Sequence, residues 1–339
     1  MSTAEPGAAS DPGAAAAAER GAVRDPGAAA AAERGAAPGP RGGATTTWSP
    51  LRSPAAAGPG YPPAAVSWLR LLTSELRLVF RRRRNLALLA VVAVIPVIIG
   101  IALRLAAPPT SGGSGQGPPF LDQVAGNGVF LAFLALTIQL TLVLPLVVAV
   151  VAGDTIAGEA GYGTLRYLLA VPAGRTRLLG VKYLSVVAFG LVAAALIAAV
   201  SLICGVSLFP VGPVTLLSGT TVSLAQGLLR VAFVTLYVAG AMAALGAIGV
   251  AISTFTEHAI GAIAALAIIV VASQVADSVP QFGVVHPYLP THWWDSFDSL
   301  LRAPIDTTTL LHGLLSFGVY VVIFGSIAWA RFTSSDVTS

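Results

Sequence analysis

Lysine is all but missing from this chain: Lys182 is the one lysine in 339 residues, and Cys204 is the one cysteine. A lone cysteine excludes an internal disulfide framework and a cysteine metal site. Charge of either sign is thin. Asp, Glu, Lys and Arg make up 10% of the chain and hydrophobic residues 55%, with a net charge of +4 and a mean hydropathy of +0.82. Soluble domains carry roughly 25% charged residues, so most of this chain does not face water. Catalytic signatures are missing too. There is no G-x-x-x-x-G-K-[ST] phosphate loop, which excludes ATP binding of that kind, and no H-E-x-x-H or G-x-S-x-G. The apolar runs hold no paired carboxylates of the kind that relay protons, and Asp277 sits at a run's end, within reach of water. The expectation is a chain that is no enzyme and has no catalytic residues, bound cofactor or metal site.

Six long apolar runs are present, at 86–107, 128–152, 183–208, 227–252, 259–277 and 310–330. Each approaches or exceeds the ~20 residues that cross a bilayer as a helix. Backbone groups in lipid must be satisfied within the segment, so these lengths suit helices rather than barrel strands. The predicted fold is all-α integral membrane, with six transmembrane helices between residues 85 and 331.

Residues 1–66 are rich in Ala, Gly and Pro, and 11–22 repeats as 25–36. Alanine runs cut by Pro-Gly, with no apolar face to bury, predict a disordered cytoplasmic tail. No basic stretch precedes a compact apolar core, so the tail does not read as a signal peptide. Residues 67–84 differ. Trp68, Leu72, Leu76, Val79 and Phe80 fall on one helical face and Arg70, Ser74, Arg77 and Arg81 on the other. That is the pattern of an interfacial amphipathic helix in the headgroup plane. Trp68, Arg70, Arg77 and the Arg81, Arg82, Arg83, Arg84 run are its expected anchors to anionic membrane lipid, each basic residue contributing ~1 kcal/mol. Its place directly before a span argues against nucleic acid. Excess basic residues mark cytoplasmic flanks. Six spans then put Arg166, Arg175, Arg177, Lys182 and Arg331 on the same side, with both termini cytoplasmic, 332–339 being a short tail.

Within the second run Gln139 stands between Thr137 and Thr141, as a helix-to-helix hydrogen-bonding group or a candidate translocation-path residue, and Pro145 is expected to kink the helix. Ala239, Ala243, Ala247 and Ala251 recur every fourth residue beside Gly246 and Gly249, a spacing that lets backbones approach. In the outer segment 280–309, Trp293, Phe297 and Leu301 recur every four residues with Trp294 and Leu300 flanking, as in an interfacial helix. His286, His292, Asp295 and Asp298 do not have the spacing of a zinc site.

A charged island between the second and third runs stands out, from Asp154 to Lys182. Leu165, Leu168 and Leu169 share a helical face, with Glu159 and Arg166 off it; Pro172 and Gly174 end the helix, and Arg175, Arg177 and Lys182 lead into the next run. Glu159, the Gly163-Thr164-Leu165 run, Pro172, Arg175 and Lys182 resemble the cytoplasmic loop of ABC-2-type transporter permeases. The resemblance spans about residues 67–331. It implies a cytoplasmic coupling helix over 156–169 that docks on a separate P-loop ATPase subunit, with Asp154, Glu159, Gly163, Thr164, Leu165, Arg166, Leu168, Pro172, Arg175 and Lys182 as the coupling residues. Glu257, in the short loop 253–258, would be a second contact. It further implies a second permease chain in the assembly, export rather than import, and residence in the plasma membrane. Two alternatives stand beside it. An ion-coupled secondary transporter would need coupling ionisable groups and often interrupted helices, neither of which is clear in the sequence. A non-transporting scaffold would recruit a partner through the same loop.

Overall fold

Apolar length alone accounts for most of the architecture. The computed structural model describes residues 64–106, 127–161, 174–216 and 218–334. The N-terminal tail to residue 63, the stretches 107–126 and 162–173, residue 217 and residues 335–339 lie outside them. Helix α1 covers Ala64–Arg81, and after Arg82 α2 covers Arg83–Ala106. There follow α3 (Phe130–Thr141), α4 (Val143–Asp154), the short α5 (Ala157–Gly161) and the long α6 (Arg175–Leu208). A small hairpin pairs β1 (Val214–Thr215) with β2 (Thr221–Val222), Val214 opposite Val222. Then come α7 (Leu224–Ser253), α8 (Ala259–Ser278) and α9 (Thr307–Ser334). Among the described residues, α2, α6, α7, α8 and α9 are each long and apolar enough to span a membrane, and α3 with α4 makes a sixth span if the pair counts as one.

Helix α7 is the centre of the bundle. A capping box starts it, Ser223 accepting from the Gln226 amide while the Gln226 side chain accepts from the Ser223 amide. Most of its length is buried, against α6, α9, α4 and α8. Its small residues explain the close fit. A Cβ on Gly246 would stand 2.9 Å from Val186, and one on Gly249 would stand 2.6 Å from Leu266 and 2.7 Å from Ala152. The small-residue seam is therefore spent on packing within the chain. Where α3 begins, Gly128 meets Gly205 of α6 so closely that a Cβ on either would lie 2.2 or 2.1 Å from the other's carbonyl oxygen.

The second span is interrupted. Helices α3 and α4 meet at 53°, and the break is at Leu142 (φ −143°, ψ −49°), just before Pro145 rather than at it. Proline has no N–H, so Pro145 leaves the Thr141 carbonyl without its helical partner. The Gln274 amide of α8 donates to that oxygen. Span one repeats the device. Pro96 lies inside α2 and frees the Val92 carbonyl, and Gln139 Nε2 of α3 donates to it at 3.2 Å. Backbone groups freed inside lipid need such partners. Gln139 is fully buried, and this bond gives it a structural task.

Two local readings change in the structure. The segment 280–306 forms 3-10 turns rather than an α-helix, at Pro280–Phe282, His286–Tyr288 and Trp294–Leu301. The buried side of the last turn is Trp294, Phe297, Leu300 and Leu301, so that Trp294 replaces Trp293 at the head of the four-residue series while Phe297 and Leu301 stay on it. Tyr237 Oη donates to the Trp293 carbonyl at 2.7 Å and Arg230 to the Leu300 and Arg302 carbonyls, tying the segment to α7. Helix α1 has the expected two faces, with Arg70, Arg77 and Arg81 exposed and Trp68, Leu72 and Leu76 half-buried. Its apolar side, however, packs on protein: the Phe80 ring lies 5.7 Å from that of Phe189 in α6, a fully buried residue.

Candidate functional site

At the end of the bundle where α1, α4, α5 and α6 meet, six charged side chains converge in a chain that is otherwise poor in charge. Asp154 ends α4. A carboxylate at a helix C-terminus is opposed by the helix dipole. Two guanidiniums from the α1–α2 junction offset this: Arg82 donates to Asp154 Oδ2, and Arg84 Nη2 does so at 2.9 Å. Beside them Lys182, in the second turn of α6, is 2% exposed. Lysine is almost never buried to that degree unless paired. Its Nζ lies 2.6 Å from Glu159 Oε1 in α5 and 3.7 Å from Glu75 Oε1 in α1. Among the described residues three carboxylates and three cations thus meet here. A cavity of about 30 Å³ lies among them, bordered by Asn85, whose Oδ1 is buried and has no hydrogen-bond partner among the described residues. That is about enough for one water. Asn85 Nδ2 donates to the Val79 carbonyl at 2.9 Å and so holds the bend between α1 and α2.

A second lock sits on the other flank of α5. Ser253, the last residue of α7, is buried. Its Oγ accepts from the Ile156 and Ala157 amides at 3.1 and 2.8 Å and donates to the Gly153 carbonyl at 3.0 Å. It thereby takes over backbone donors that the start of a helix leaves open. Gly161 runs along the next loop, where a Cβ would be 3.0 Å from the Glu257 carbonyl oxygen. At the far side of the island, Arg175 Nη1 donates to the Thr333 carbonyl at 2.9 Å, and Trp329 Nε1 donates to Thr176 Oγ1 at 3.0 Å. The ends of α6 and α9 are joined there, and a guanidinium suits a helix C-terminus.

The structure therefore brings Asp154, Glu159 and Lys182 to one place, Asp154 paired with the α1–α2 junction and Lys182 with Glu159 and with Glu75 of α1, rather than as an exposed face. Glu257 is exposed, on the loop packed beside α5. Gly163, Thr164, Leu165, Arg166, Leu168 and Pro172 lie outside the described residues. Arg82 and Arg84 turn toward Asp154 while keeping 39% and 46% of their side-chain surface open, whereas Arg70, Arg77, Arg81 and Arg83 are exposed. Sequence reasoning missed Glu75, Asn85 and Ser253. Glu75 alone had a signal. It is the one acid in α1 and follows Leu72 by three residues, at the edge of the apolar face. His286 and His292, weighed above as metal ligands, both face Asp277, at 3.9 and 2.6 Å.

Comparison with known proteins adds one match. A family model described as "ABC-2 family transporter protein" matches residues 80–273, more than half of the chain, from the end of α1 through most of α8. No curated protein matches the chain.

Proposed function

The chain belongs to the ABC-2 family of transporter proteins, and on that premise we propose that it is the permease subunit of an exporter driven by a separate ATPase. It is a multi-pass membrane protein, and the family implies association with an ABC ATPase. The proposed docking element is the loop between the second and third spans, on the cytoplasmic side of the plasma membrane with both termini. A second permease chain, the same or a sister, would complete the assembly.

The observation that carries this reading is the ion cluster at both feet of the loop. A docking loop transmits motion only if its ends cannot give way. At one end Asp154 is held to Arg82 and Arg84 of the α1–α2 junction and Glu159 to Lys182 at the other end, Lys182 also reaches Glu75 of α1, and Ser253 fixes the start of α5 to α7. A push on the loop would pass into α4, α6 and α1 as rigid bodies. Helix α4 runs twelve residues, about 18 Å at 1.5 Å rise, from Asp154 back to the break at Leu142. That break is where a tilt of α4 would be absorbed. Asp154, Glu159 and Lys182 would thus relay force, while Thr164, Arg166 and Leu168 would touch the partner.

The test is purification of the tagged chain from native membranes in mild detergent, beside an Arg166→Glu/Leu168→Glu variant. A P-loop ATPase should accompany the wild type and be depleted by the variant. A chain that comes down alone, or an ATPase indifferent to the loop, overturns the proposal. In that case the interrupted second span would favour an ion-coupled carrier.

A further inference from the structure

At the far end of α4 from the ion cluster, the broken span opens a second cavity, of about 250 Å³. Its walls are Leu140 and Thr141 from the last turn of α3, Gln274, Asp277 and Ser278 from the last turn of α8, and Thr291, Trp294 and Asp295 from the 3-10 segment. We infer that this cavity binds a small organic cation of the ammonium class.

Three features of the walls lead to a cation. First, two helices end here. The last turn of a helix carries unsatisfied carbonyls and a partial negative charge of roughly half a unit. Helix α8 points that end at the cavity, and so does α3, whose end is partly offset by the start of α4 across the break. A proline frees one further carbonyl, that of Thr141, and Gln274 already occupies it. Second, among the described residues two carboxylates line the space and no lysine or arginine does. Asp277 is engaged by His292 Nδ1 at 2.6 Å, with His286 Nδ1 at 3.9 Å. Asp298, just outside, is paired with Arg302 at 3.2 Å. Asp295 makes no ion pair or hydrogen bond with any described residue. Third, protein crowded around the Asp295 carboxyl, together with the Asp298 and Asp277 carboxylates, raises its pKa, although more than a third of the residue stays open to solvent. An incoming cation would relieve that repulsion.

Size and apolar surface narrow the class. The volume falls below the ~300–1,000 Å³ of sites for drug-sized ligands. The buried side chains of Leu140 and Trp294 form part of the wall. Short alkyl groups around a positive nitrogen match such a lining better than a bare metal ion, for which the described residues gather no group of three or more His, Cys, Asp or Glu side chains that could hold one. On the permease reading proposed above, the site would belong to the cargo path and name the cargo's charge; binding itself does not depend on that reading.

The experiment uses the full chain, with Cys204→Ser removing the one native thiol and Ser278→Cys placing a new one on the cavity wall. Purified protein is reacted with a trimethylammonium-ethyl and with a sulfonato-ethyl methanethiosulfonate. The ratio of the two rates, divided by the same ratio for a free thiol, reads the local potential. A local effect on thiol ionisation cancels in that ratio. The expected ratio is about tenfold in favour of the cationic reagent. Asp295→Asn and Asp277→Asn should each lower it at least threefold, and Asp306→Asn, at the exposed start of α9, should not. Tetraethylammonium should slow modification at Ser278→Cys and leave a reference thiol at Ser218→Cys untouched. A ratio near the free-thiol value overturns the inference, and so does a high ratio without protection by tetraethylammonium. Slowing by added phosphatidylethanolamine but not by tetraethylammonium would assign the pocket to a lipid headgroup and overturn the free-cation reading. No ATPase takes part in these rates, so their failure would leave the proposed transport function standing.

Discussion

Replacing Lys182 by methionine keeps the stem and removes the ammonium that Glu159 and Glu75 share at 2.6 and 3.7 Å. Breaking a buried ion pair from one side costs about 3–5 kcal/mol, because a charge stays behind without compensation. Both carboxylates keep about 15% of their side-chain surface open, so water relieves part of this and the low end, about 3 kcal/mol, applies. At roughly 2–4 °C per kcal/mol for a chain of this size, the apparent Tm of Lys182→Met in detergent should fall by about 6–12 °C. Glu159→Gln alone should also destabilise. The double variant removes the closer pair together, and the coupling between the two changes should be about 2 kcal/mol, so that it melts well above the sum of the singles. The assay is thermal unfolding followed by intrinsic fluorescence across the four-member cycle. Single variants within ~1 °C of wild type, or a double variant whose loss equals the sum of the singles, would refute the claim that the cluster is a coupled unit.

Three further outcomes follow from the packing. Gln139→Leu should lower stability by about 1 kcal/mol, through loss of the donor to the carbonyl that Pro96 frees, and should be close to neutral in a Pro96→Ala background where α2 can close its own bond; the same unfolding assay measures both. Gly128→Ala and Gly205→Ala should each sharply reduce the yield of folded protein, because the new methyl would meet a backbone oxygen at 2.2 or 2.1 Å, whereas Gly180→Ala, with nothing within 4 Å, should fold as wild type in size-exclusion chromatography. The raised pKa of Asp295 has a definite sign. Its ionisation disfavours the folded state, so stability from this group is full below the ordinary carboxylate range and is lost as pH rises through the raised value. Asp295→Asn should therefore raise the Tm at neutral pH and leave it unchanged in acid.

Charge and apolar length made much of this legible in the sequence. The spans follow from hydropathy, since nothing but a helix can satisfy twenty backbone amides in lipid. The contrast of Arg70, Arg77 and Arg81 with Leu72 and Leu76 also marked α1 as two-faced. What stayed hidden is long-range. Sequence spacing places Arg82 beside Arg81 and Arg83, and only the fold brings it to Asp154, seventy-two residues on. Ser253 carries no signal at all, being an ordinary helix-end serine until the amides of Ile156 and Ala157 arrive. The break in the second span was half visible. Pro145 pointed to a bend, but the break at Leu142 and the Gln274 amide of another helix that takes the Thr141 carbonyl are visible only in the fold. At 294–301 the four-residue spacing reads as an interfacial helix, and the tighter 3-10 winding instead brings Trp294 and Leu300, which flank that series, to the buried side with Phe297 and Leu301.

The most direct measurement of the central claim is site-directed cross-linking in native membranes. With Cys204→Ser as background, Thr164→Cys places the one reactive thiol in the loop between the second and third spans, and Ser278→Cys places it beside the outer cavity. A short bifunctional thiol–amine reagent, followed by mass spectrometry of the adduct, should join Thr164→Cys to a P-loop ATPase subunit and leave Ser278→Cys without that product. An ATPase adduct from Ser278→Cys, or none from Thr164→Cys while the same ATPase co-purifies, would contradict the account.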